Sequence, residues 1–578
     1  MKKNNSAGLS SGRWKGIHSL PLALKNSSRL YPSNPVFSSV DGTSYTYREV
    51  EHAAHHIATM LRSTGIGEGD KVAILSENSP HWGIAYFGIL NTGAVTVPIL
   101  PDFQGPEVIS ILDHAEAKSL FVSGKLLHKI KKDLPASVEL VVNLDNFQVL
   151  DMEAGRIKTP ATVPGKLLKL EVDAGSLSVD ESFYKAKPDD LASIIYTSGT
   201  TGRSKGVMLS HYNILSNAIQ SGTIHEVLPG DRFLSMLPLA HTLECTIGMM
   251  IPLLNGARVL YMDKAPTASV LTPILKEYKP TTMLTVPMII EKIYRARVRP
   301  ALSKSPAMRA LMKVKLTRKL LSRAASNKLQ KFFGGELRFF GIGGAPLAPD
   351  VEKFLIEGGF PYAIGYGLTE TSPMIAGFSP ESAVYRSVGT VMEGCHVKID
   401  NPDPVTKEGE IIVTGPNIMK GYYKDEEKTR EVFNEEGYFK TGDLGYINKK
   451  GILYIRGRSK NMILGPNGEN IYPEEIEALI NSKEIVSESL VMQYKGKLVA
   501  RVHLKVEVME ERFKYLKENA TDFQQQLQTK ADEVLEELMQ QVNQTVARNS
   551  RLQMMIQQMQ PFEKTPTLKI KRFLYGEQ

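Results

Sequence analysis

Short runs rich in valine and isoleucine alternate with helical patterns through about the first 450 residues, and this alternation restricts the fold more than any other feature. Runs of this length, bounded by turn residues, indicate buried strands separated by helices. We therefore predict an α/β fold of layered sheets. The predicted strands are KVAIL (71–75), VTVPIL (95–100), SLFVS (119–123), VELVVNL (138–144), LASIIY (191–196), ARVLYM (257–262), TTMLTV (281–286) and LRFFGI (337–342).

The sequence changes character after Gly457. Between Gly496 and Pro561 there is neither glycine nor proline, and apolar residues recur at helical spacing. We predict a small C-terminal domain whose long amphipathic helix packs on its own domain, with a coiled-coil partner site as the alternative. The residues expected on the packed face are Phe523, Leu527, Ala531, Leu535, Leu538 and Val542.

Composition excludes several classes of protein. With 42% apolar and 23% charged residues the chain is of ordinary globular type, so disorder and fibrous repeats are not expected. Cys245 and Cys395 give neither a disulfide framework nor zinc-ligand spacing, which favours a reducing cytoplasm. The N-terminal residues lack an apolar stretch, so we expect no secretory signal. Proline, histidine and glutamate interrupt the apolar passage 233–254, so we expect no membrane-spanning helix.

The positive charge of the chain is concentrated in one segment. Residues 291–331 contain thirteen lysines and arginines and one glutamate, a balance of +12 in a chain whose net charge is +8. The rest of the chain is therefore slightly acidic, and we expect no nucleic-acid partner. The basic segment, 292–331, also carries leucine and methionine at helical spacing. It is interpreted either as a solvated surface helix or as a peripheral contact with the inner surface of an anionic membrane.

A loop rich in glycine and hydroxyl groups directly follows the predicted strand LASIIY. Its sequence, TSGTTGRSKG, can turn backbone N–H groups toward an anion while hydroxyls and a lysine add donors and charge. The glycine spacing does not match a Walker loop. A flexible linker is disfavoured because the charge and hydroxyls lie within a strand-flanked unit. We predict a polyphosphate site formed by Thr197, Ser198, Gly199, Thr200, Thr201, Gly202 and Lys205.

At this loop the chain resembles the adenylate-forming superfamily, which includes acyl-CoA synthetases, adenylation domains of peptide synthetases and beetle luciferases. Six further motifs occur in the family order: LPLAHT (237–242), GGAPL (343–347), YGLTETSP (366–373), KTGDLGY (440–446), GRSKNMI (457–463) and TPTLKIKR (565–572). The resemblance covers nearly the whole chain. It implies a large N-terminal domain (1–457), a hinge (458–461) and a small mobile C-terminal α+β domain (462–578).

The resemblance also implies three catalytic roles. Two unit charges 4 Å apart repel by about 4 kcal/mol at an effective dielectric constant of 20, so a carboxylate approaching the α-phosphate of ATP needs cations beside it. Lys569 resembles the family lysine that bridges these two groups. Glu370 resembles the carboxylate that holds Mg²⁺ against the phosphates. His241 resembles the residue that borders the carboxylate end of the acyl pocket, although a structural histidine is an equal alternative.

Further residues match the family's nucleotide pocket. Asp443 and Arg458 are expected to contact the ribose hydroxyls. The adenine would lie against the small residues Gly343, Gly344 and Ala345 and stack on Tyr366, and Gly367 and Thr369 complete the predicted nucleotide-binding residues. The resemblance places the hinge at Lys460. Rotation there would withdraw Lys569 and present the loop 465–477 to a thiol.

The expected substrate is a fatty acid. Leucine precedes Lys569 where the family motif often has glycine, and the resulting TLK is typical of the long-chain acyl-CoA branch. Segments 238–253 and 285–290, which would line the acyl pocket, are interpreted as lacking the acidic residue that a substrate amino group would need, and therefore as suited to an apolar chain. We expect a long-chain fatty acid–CoA ligase that uses ATP, Mg²⁺ and coenzyme A. Transfer to an acyl carrier protein is the alternative, and a non-catalytic nucleotide-binding protein is the remote one. The expected location is cytoplasmic.

Overall fold

The computed structural model describes residues 14, 16–130, 134–153, 156–157, 186–197, 204–262, 264, 266–465, 469–513, 523–565 and 569–576. A first large sheet of nine strands has a parallel centre. From edge to edge its strands are Thr390–Val391, Met374–Gly377, Tyr362–Gly367, Phe339–Ile342, Thr282–Thr285, Arg232–Ser235, Arg258–Tyr261, Pro35–Ser39 and Ser44–Thr46.

A second large sheet has eight strands. Its order is Gly421–Tyr422, Lys205–Ser210, Leu191–Thr197, Val95–Ile99, Lys71–Leu75, Ala117–Val122, Leu140–Asn143 and Gln148–Val149. All eight strands predicted from valine- and isoleucine-rich runs are present in these two sheets. The prediction succeeds because strands buried on both faces must be apolar along their whole length.

Helices cover both faces of each large sheet. The helix Pro80–Thr92 is apolar on all sides and almost wholly buried, as expected of a helix enclosed between two layers. The apolar core around it joins residues of both sheets, such as Phe37 of the first and Ile74 of the second. Separate cores fill the outer faces. The predicted layered α/β architecture is therefore confirmed.

The helices Leu20–Leu30, Tyr47–Ser63, His211–Ser221 and Ile251–Asn255 also contribute to the central core, and further helices pack in the outer cores and in the C-terminal region. Among the described residues, no helix combines the length and apolar character needed to cross a bilayer. The α-helices are Leu20–Leu30, Tyr47–Ser63, Pro80–Thr92, Gly105–Ala115, His211–Ser221, Ile251–Asn255, Ala268–Tyr278, Pro287–Ile293, Arg299–Leu302, Pro306–Lys313, Lys315–Phe332, Pro349–Gly358, Glu426–Val432, Pro473–Asn481, Val506–Arg512 and Phe523–Asn543. Two π-helical turns, Leu243–Met250 and Tyr294–Val298, interrupt this series.

Smaller sheets follow the two large ones. An antiparallel sheet contains His396–Asp400, Gly409–Thr414, Phe439–Ile447 and Leu453–Arg458. After it come a hairpin, Ile463–Leu464 with Asn470–Ile471, and a three-stranded sheet of Val486–Tyr494, Lys497–Leu504 and Met554–Gln557. Strands Met152–Glu153 and Arg156–Ile157 form a separate hairpin.

The predicted long C-terminal helix is present as Phe523–Asn543. Ala531, Leu535, Leu538 and Val542 are buried in an apolar core shared with the three-stranded sheet. The side chains of Phe523 and Leu527 lie outside the described part of the chain. The helix thus packs on the structure around it, as predicted. The domain boundary after Gly457 stays a prediction.

Candidate active site

The predicted phosphate loop joins two paired strands of the second sheet. Thr197 ends the strand Leu191–Thr197, and Lys205 begins the antiparallel strand Lys205–Ser210 directly opposite it. The Lys205 ammonium lies 5.1 Å from the centre of the Tyr422 ring. Burial lowers the pKa of Lys205, and nearby lysines act in the same direction. The other predicted loop residues lie outside the described part of the chain: Ser198, Gly199, Thr200, Thr201 and Gly202.

Lys569 lies close to the other charged residues of the predicted site. Lys569 is exposed to solvent, but the protein atoms around its ammonium partly desolvate it and lower its pKa. The charge of Arg458 lowers that pKa further, whereas the carboxylates of Asp443 and Glu370 oppose the change. The structure therefore brings Lys569 together with these three residues, although more than one hundred positions separate it from each of them in the sequence.

Asp443 lies near Lys569 and is held by two contacts. Its carboxylate forms an ion pair with Arg458 at 2.7 Å and accepts a hydrogen bond of 2.8 Å from the Tyr366 hydroxyl. Burial raises the pKa of Asp443, and Arg458 opposes that rise. A carboxylate fixed in this way can accept hydrogen bonds from a pair of sugar hydroxyls. Tyr366 was predicted to stack on adenine, and the structure adds that its hydroxyl orients Asp443.

Small residues line the ends of two neighbouring parallel strands beside Tyr366. Gly343, Gly344 and Ala345 directly follow the strand Phe339–Ile342, where an α/β sheet commonly binds its ligand. Gly344 has a φ of +86°, which glycine adopts without strain. Gly367 ends the adjacent strand, and a Cβ there would lie 1.7 Å from the Pro373 carbonyl oxygen. Glycine at position 367 is thus required by the neighbouring backbone at Pro373, whereas the small residues Gly343, Gly344 and Ala345 lie where the adenine is predicted to bind.

Glu370 lies in the short helical turn Thr369–Thr371. Its Oε1 accepts a hydrogen bond of 2.9 Å from the hydroxyl of Tyr422, the residue whose ring lies beside Lys205. No group of three or more metal-ligating side chains occurs within the described ranges. Mg²⁺ is commonly held by one or two carboxylates together with substrate phosphates and water, so a single half-buried glutamate beside a phosphate loop fits this ion.

His241 lies close enough to Lys569 for the lysine charge to affect its pKa, and it is held by its own neighbours. Its Nδ1 accepts a hydrogen bond of 3.2 Å from the Leu243 amide. Burial lowers the pKa of His241 to about 4, and the charge of Lys569 contributes to this. The imidazole is therefore neutral at physiological pH. Asn78 fixes the residues just before His241. Its side-chain amide donates a hydrogen bond of 2.6 Å to the Leu237 carbonyl and accepts one of 2.8 Å from the Leu239 amide.

Glu244 is a buried acid inside the segment 238–253, so the interpretation that this segment lacks an acidic residue is wrong. It is 1% exposed, and burial raises its pKa to about 8. Its Oε2 has no hydrogen-bond partner among the described residues. The carboxyl is therefore neutral at pH 7. A signal was available in the sequence, since Gly248 one turn later leaves room for the carboxyl: a Cβ there would lie 2.6 Å from Oε1.

Lys460 lies in the turn Ser459–Asn461, which directly follows the strand Leu453–Arg458. The Ser459 hydroxyl donates a hydrogen bond of 3.1 Å to the Gly442 carbonyl, next to Asp443. The predicted hinge thus begins where the four-stranded sheet ends. Its role as a pivot stays a prediction, as do the roles of the other site residues.

The layered α/β fold and the residues gathered around Lys569 agree with the family to which the sequence is matched. The family model for AMP-binding enzymes matches residues 24–423, so the chain belongs to this family of adenylate-forming enzymes. Within the family it is similar to long-chain acyl-CoA synthetases. It is 31% identical to long chain acyl-CoA synthetase 7, peroxisomal, of Arabidopsis thaliana over 81% of this chain and 69% of that protein.

Two other relatives differ in the acceptor that their names specify. Long-chain-fatty-acid–CoA ligase FadD15 of Mycobacterium bovis is 30% identical over 78% of this chain and 76% of that protein. The long-chain-fatty-acid–[acyl-carrier-protein] ligase AEE15, chloroplastic, of Arabidopsis thaliana is 28% identical over 85% and 76%.

The same fold occurs in solved structures. The O-succinylbenzoate coenzyme A synthetase of Bacillus subtilis in complex with AMP matches 96% of this chain and 97% of its own, with a TM-score of 0.72 and 22% identity. ATP-bound MatB of Rhodopseudomonas palustris matches 95% and 97%, with a TM-score of 0.70 and 24% identity. At these identities the likeness establishes the fold.

Proposed function

We propose that this chain activates a long-chain fatty acid with ATP and then forms its coenzyme A thioester. The observation that carries the proposal is the convergence of Lys569 on Asp443, Arg458 and Glu370. A lysine beside the predicted ribose and magnesium ligands lies where a fatty carboxylate and the α-phosphate of ATP would meet. The relatives named as long-chain acyl-CoA synthetases support the choice of acid.

The first step is adenylation. A carboxylate oxygen attacks the α-phosphorus, the bond from that phosphorus to the bridging oxygen breaks, and pyrophosphate leaves. Lys569 offsets the negative charge on the two approaching anions. Glu370 and the substrate phosphates would hold Mg²⁺, which when bound neutralises charge on the leaving pyrophosphate. Asp443 and Arg458 orient the ribose, so the α-phosphate is fixed relative to Lys569.

The second step transfers the acyl group. The thiol of coenzyme A loses its proton as its sulfur attacks the acyl carbonyl, the carbonyl–phosphate oxygen bond breaks, and AMP leaves. We propose that rotation about Lys460 removes Lys569 before this step and presents the loop 465–477 to the thiol. Residues 466–468 of this loop lie outside the described part of the chain.

The neutral state of two buried groups supports an apolar acyl chain. His241 stays uncharged because burial and Lys569 lower its pKa, and Glu244 stays uncharged because burial raises its pKa. Glu244 therefore offers no negative charge to a substrate amine at pH 7, and His241 carries no positive charge. An apolar chain entering past His241 would meet no buried ion from these two residues.

The test is ATP-dependent activation across fatty acids of increasing length, with coenzyme A and acyl carrier protein offered separately. We expect pyrophosphate exchange that depends on palmitate and AMP release with acyl-CoA formation. Acylation of the carrier protein in preference to coenzyme A would transfer the assignment to the carrier-protein ligases. Absence of exchange with every fatty acid would refute the proposed reaction and favour a non-catalytic nucleotide-binding protein.

We further propose that the basic segment attaches the cytoplasmic enzyme to an anionic membrane surface. Here the helices Pro306–Lys313 and Lys315–Phe332 expose apolar side chains among lysines and arginines. Leu311, Val314, Leu316 and Leu320 are between 44% and 70% exposed. Apolar side chains surrounded by cations match an interface of acyl chains and acidic headgroups.

Replacing Leu316 and Leu320 together with serine is expected to weaken vesicle binding by about tenfold or more, since burial of one leucine contributes about 1.5–3 kcal/mol. The measurement is co-sedimentation with vesicles of phosphatidylglycerol and phosphatidylcholine, compared with phosphatidylcholine alone. Val405→Ser is the control because Val405 is 85% exposed and lies outside the basic segment. Equal binding of wild type to both vesicle types would contradict membrane attachment through this segment.

A further inference from the structure

Two arginines at the start of the basic segment contact the C-terminal region. Arg295 and Arg299 lie four positions apart across the π-helical turn Tyr294–Val298, so both reach the same side. Each donates a hydrogen bond from Nη1 to the carbonyl oxygen of Ser482, at 2.9 and 3.3 Å respectively. Two guanidinium groups from the N-terminal region thus converge on one backbone oxygen of the C-terminal region.

The position of Ser482 makes this contact favourable. Ser482 directly follows the helix Pro473–Asn481, whose last carbonyl groups lack partners within the helix and carry partial negative charge. A cation is therefore stabilised at this end. Lys505 contacts the same end, donating a hydrogen bond of 2.9 Å to the Glu484 carbonyl. Burial lowers the pKa of Lys505, and Arg295 and Arg299 contribute to this, which shows that three cations crowd together here.

The same helix holds the segment that carries Lys569. Glu477, on the helix, accepts a hydrogen bond of 2.5 Å from Arg572, and Arg572 also donates to the Val491 carbonyl at 3.2 Å. Burial raises the pKa of Glu477, while Arg572 opposes that rise, as expected of an enclosed ion pair. Arg572 is only three residues beyond Lys569. A continuous set of contacts therefore leads from the two arginines through Pro473–Asn481 to Lys569.

We infer that Arg295 and Arg299 are positioning residues for adenylation. By fixing the carboxyl end of Pro473–Asn481, they hold Lys569 at the predicted active site through Glu477 and Arg572. The inference rests on the proposed two-step reaction and adds the contacts that hold the C-terminal region in its arrangement for adenylation. Rotation of the C-terminal region must break both hydrogen bonds to Ser482. Mutual repulsion of the three crowded cations limits the strength of the contact, so it can be released between steps.

The test uses the full-length double variant R295A/R299A and measures the two half-reactions separately. Loss of two charge-assisted hydrogen bonds is expected to lower palmitate-dependent pyrophosphate exchange by about tenfold or more. Thioester formation from supplied palmitoyl-adenylate and coenzyme A is expected to stay at the wild-type rate or rise, because the arrangement for that step does not need the contact. The variant R295K/R299K retains two donors and is expected to restore part of the exchange rate.

Arg297→Ala is the matched control. Arg297 lies between the two arginines, but its guanidinium is 4.3 Å from the Phe332 ring centre, so its loss removes one charge from the same segment. We expect wild-type rates for both half-reactions. An equal loss of both half-reactions in R295A/R299A, or exchange equal to wild type, would overturn the positioning role. Wild-type enzyme without exchange on any fatty acid would instead overturn the proposed function itself.

Discussion

Replacing Lys569 with alanine is expected to lower acyl-adenylate formation by at least about 10²–10³-fold, the usual loss when one charge-stabilising group is removed from a reacting site. The reason is geometric. Lys569 lies close enough to Asp443, Arg458 and Glu370 to interact with their charges. We propose that no other lysine replaces it between the fatty carboxylate and the α-phosphate of ATP. The measurement is palmitate-dependent exchange of pyrophosphate into ATP. Thioester formation from supplied palmitoyl-adenylate is expected to be retained.

Lys571→Ala is the control for this variant. Lys571 is two residues away and faces Glu563, with 3.9 Å between its Nζ and the carboxylate. Its loss removes an equal charge from the same segment and is expected to change neither half-reaction substantially, since exposed ion pairs contribute little. An equal fall of both half-reactions in Lys569→Ala would contradict a role confined to adenylation and would place this lysine in the thioester step as well.

Replacing Glu244 with glutamine is expected to make the enzyme more stable at alkaline pH. The pKa of Glu244 is about 8 in the folded chain, against an ordinary value of 4.5. Between these values the folded chain keeps a proton that the unfolded chain has lost, so stability falls as pH rises. At about 1.4 kcal/mol for each pKa unit, the loss is roughly 5 kcal/mol across this window. Glutamine does not ionise, so its advantage should grow from pH 4.5 to 8 and then stay constant.

The measurement is urea unfolding at several pH values, followed by tryptophan fluorescence. Trp82 is fully buried and stacks on Tyr86, in the apolar core that also contains Cys245, the residue next to Glu244. Glu352→Gln provides the contrast. Glu352 is also buried but lies 3.6 Å from Arg386, so losing its charge leaves that guanidinium without this partner and is expected to reduce stability. A pH-independent difference between wild type and Glu244→Gln would show that Glu244 is ionised in the folded chain.

The strands were predictable because their burial on both faces leaves a continuous apolar pattern in the sequence. Lys569, Glu370, Asp443 and Arg458 were predictable as residues because each lies in a short motif. Their mutual approach was expected only through the family resemblance, since no local pattern shows how the C-terminal region packs. The structure adds the contacts that bring them together.

Other site residues left no recognisable pattern. Asn78 lies more than 150 positions from the loop it fixes, and only the fold joins its amide to Leu237 and Leu239. Tyr422 reaches Glu370 through a two-residue strand too short to predict. Glu244 was visible in the sequence, but its neutral state depends on complete burial. These contacts and this neutral state therefore follow from long-range packing, which leaves no local pattern in the sequence.

The short strand Gly421–Tyr422 has a further consequence for the behaviour of the enzyme at high concentration. Without it, the strand Lys205–Ser210 would be an open edge of the eight-stranded sheet, with backbone groups able to pair with another molecule. The backbone amides of Lys420 and Tyr423, which flank the short strand, donate hydrogen bonds to the carbonyl oxygens of Met208 and Gly206 at that edge. The sheet that bears the predicted phosphate loop is thereby protected against edge-to-edge pairing along these residues.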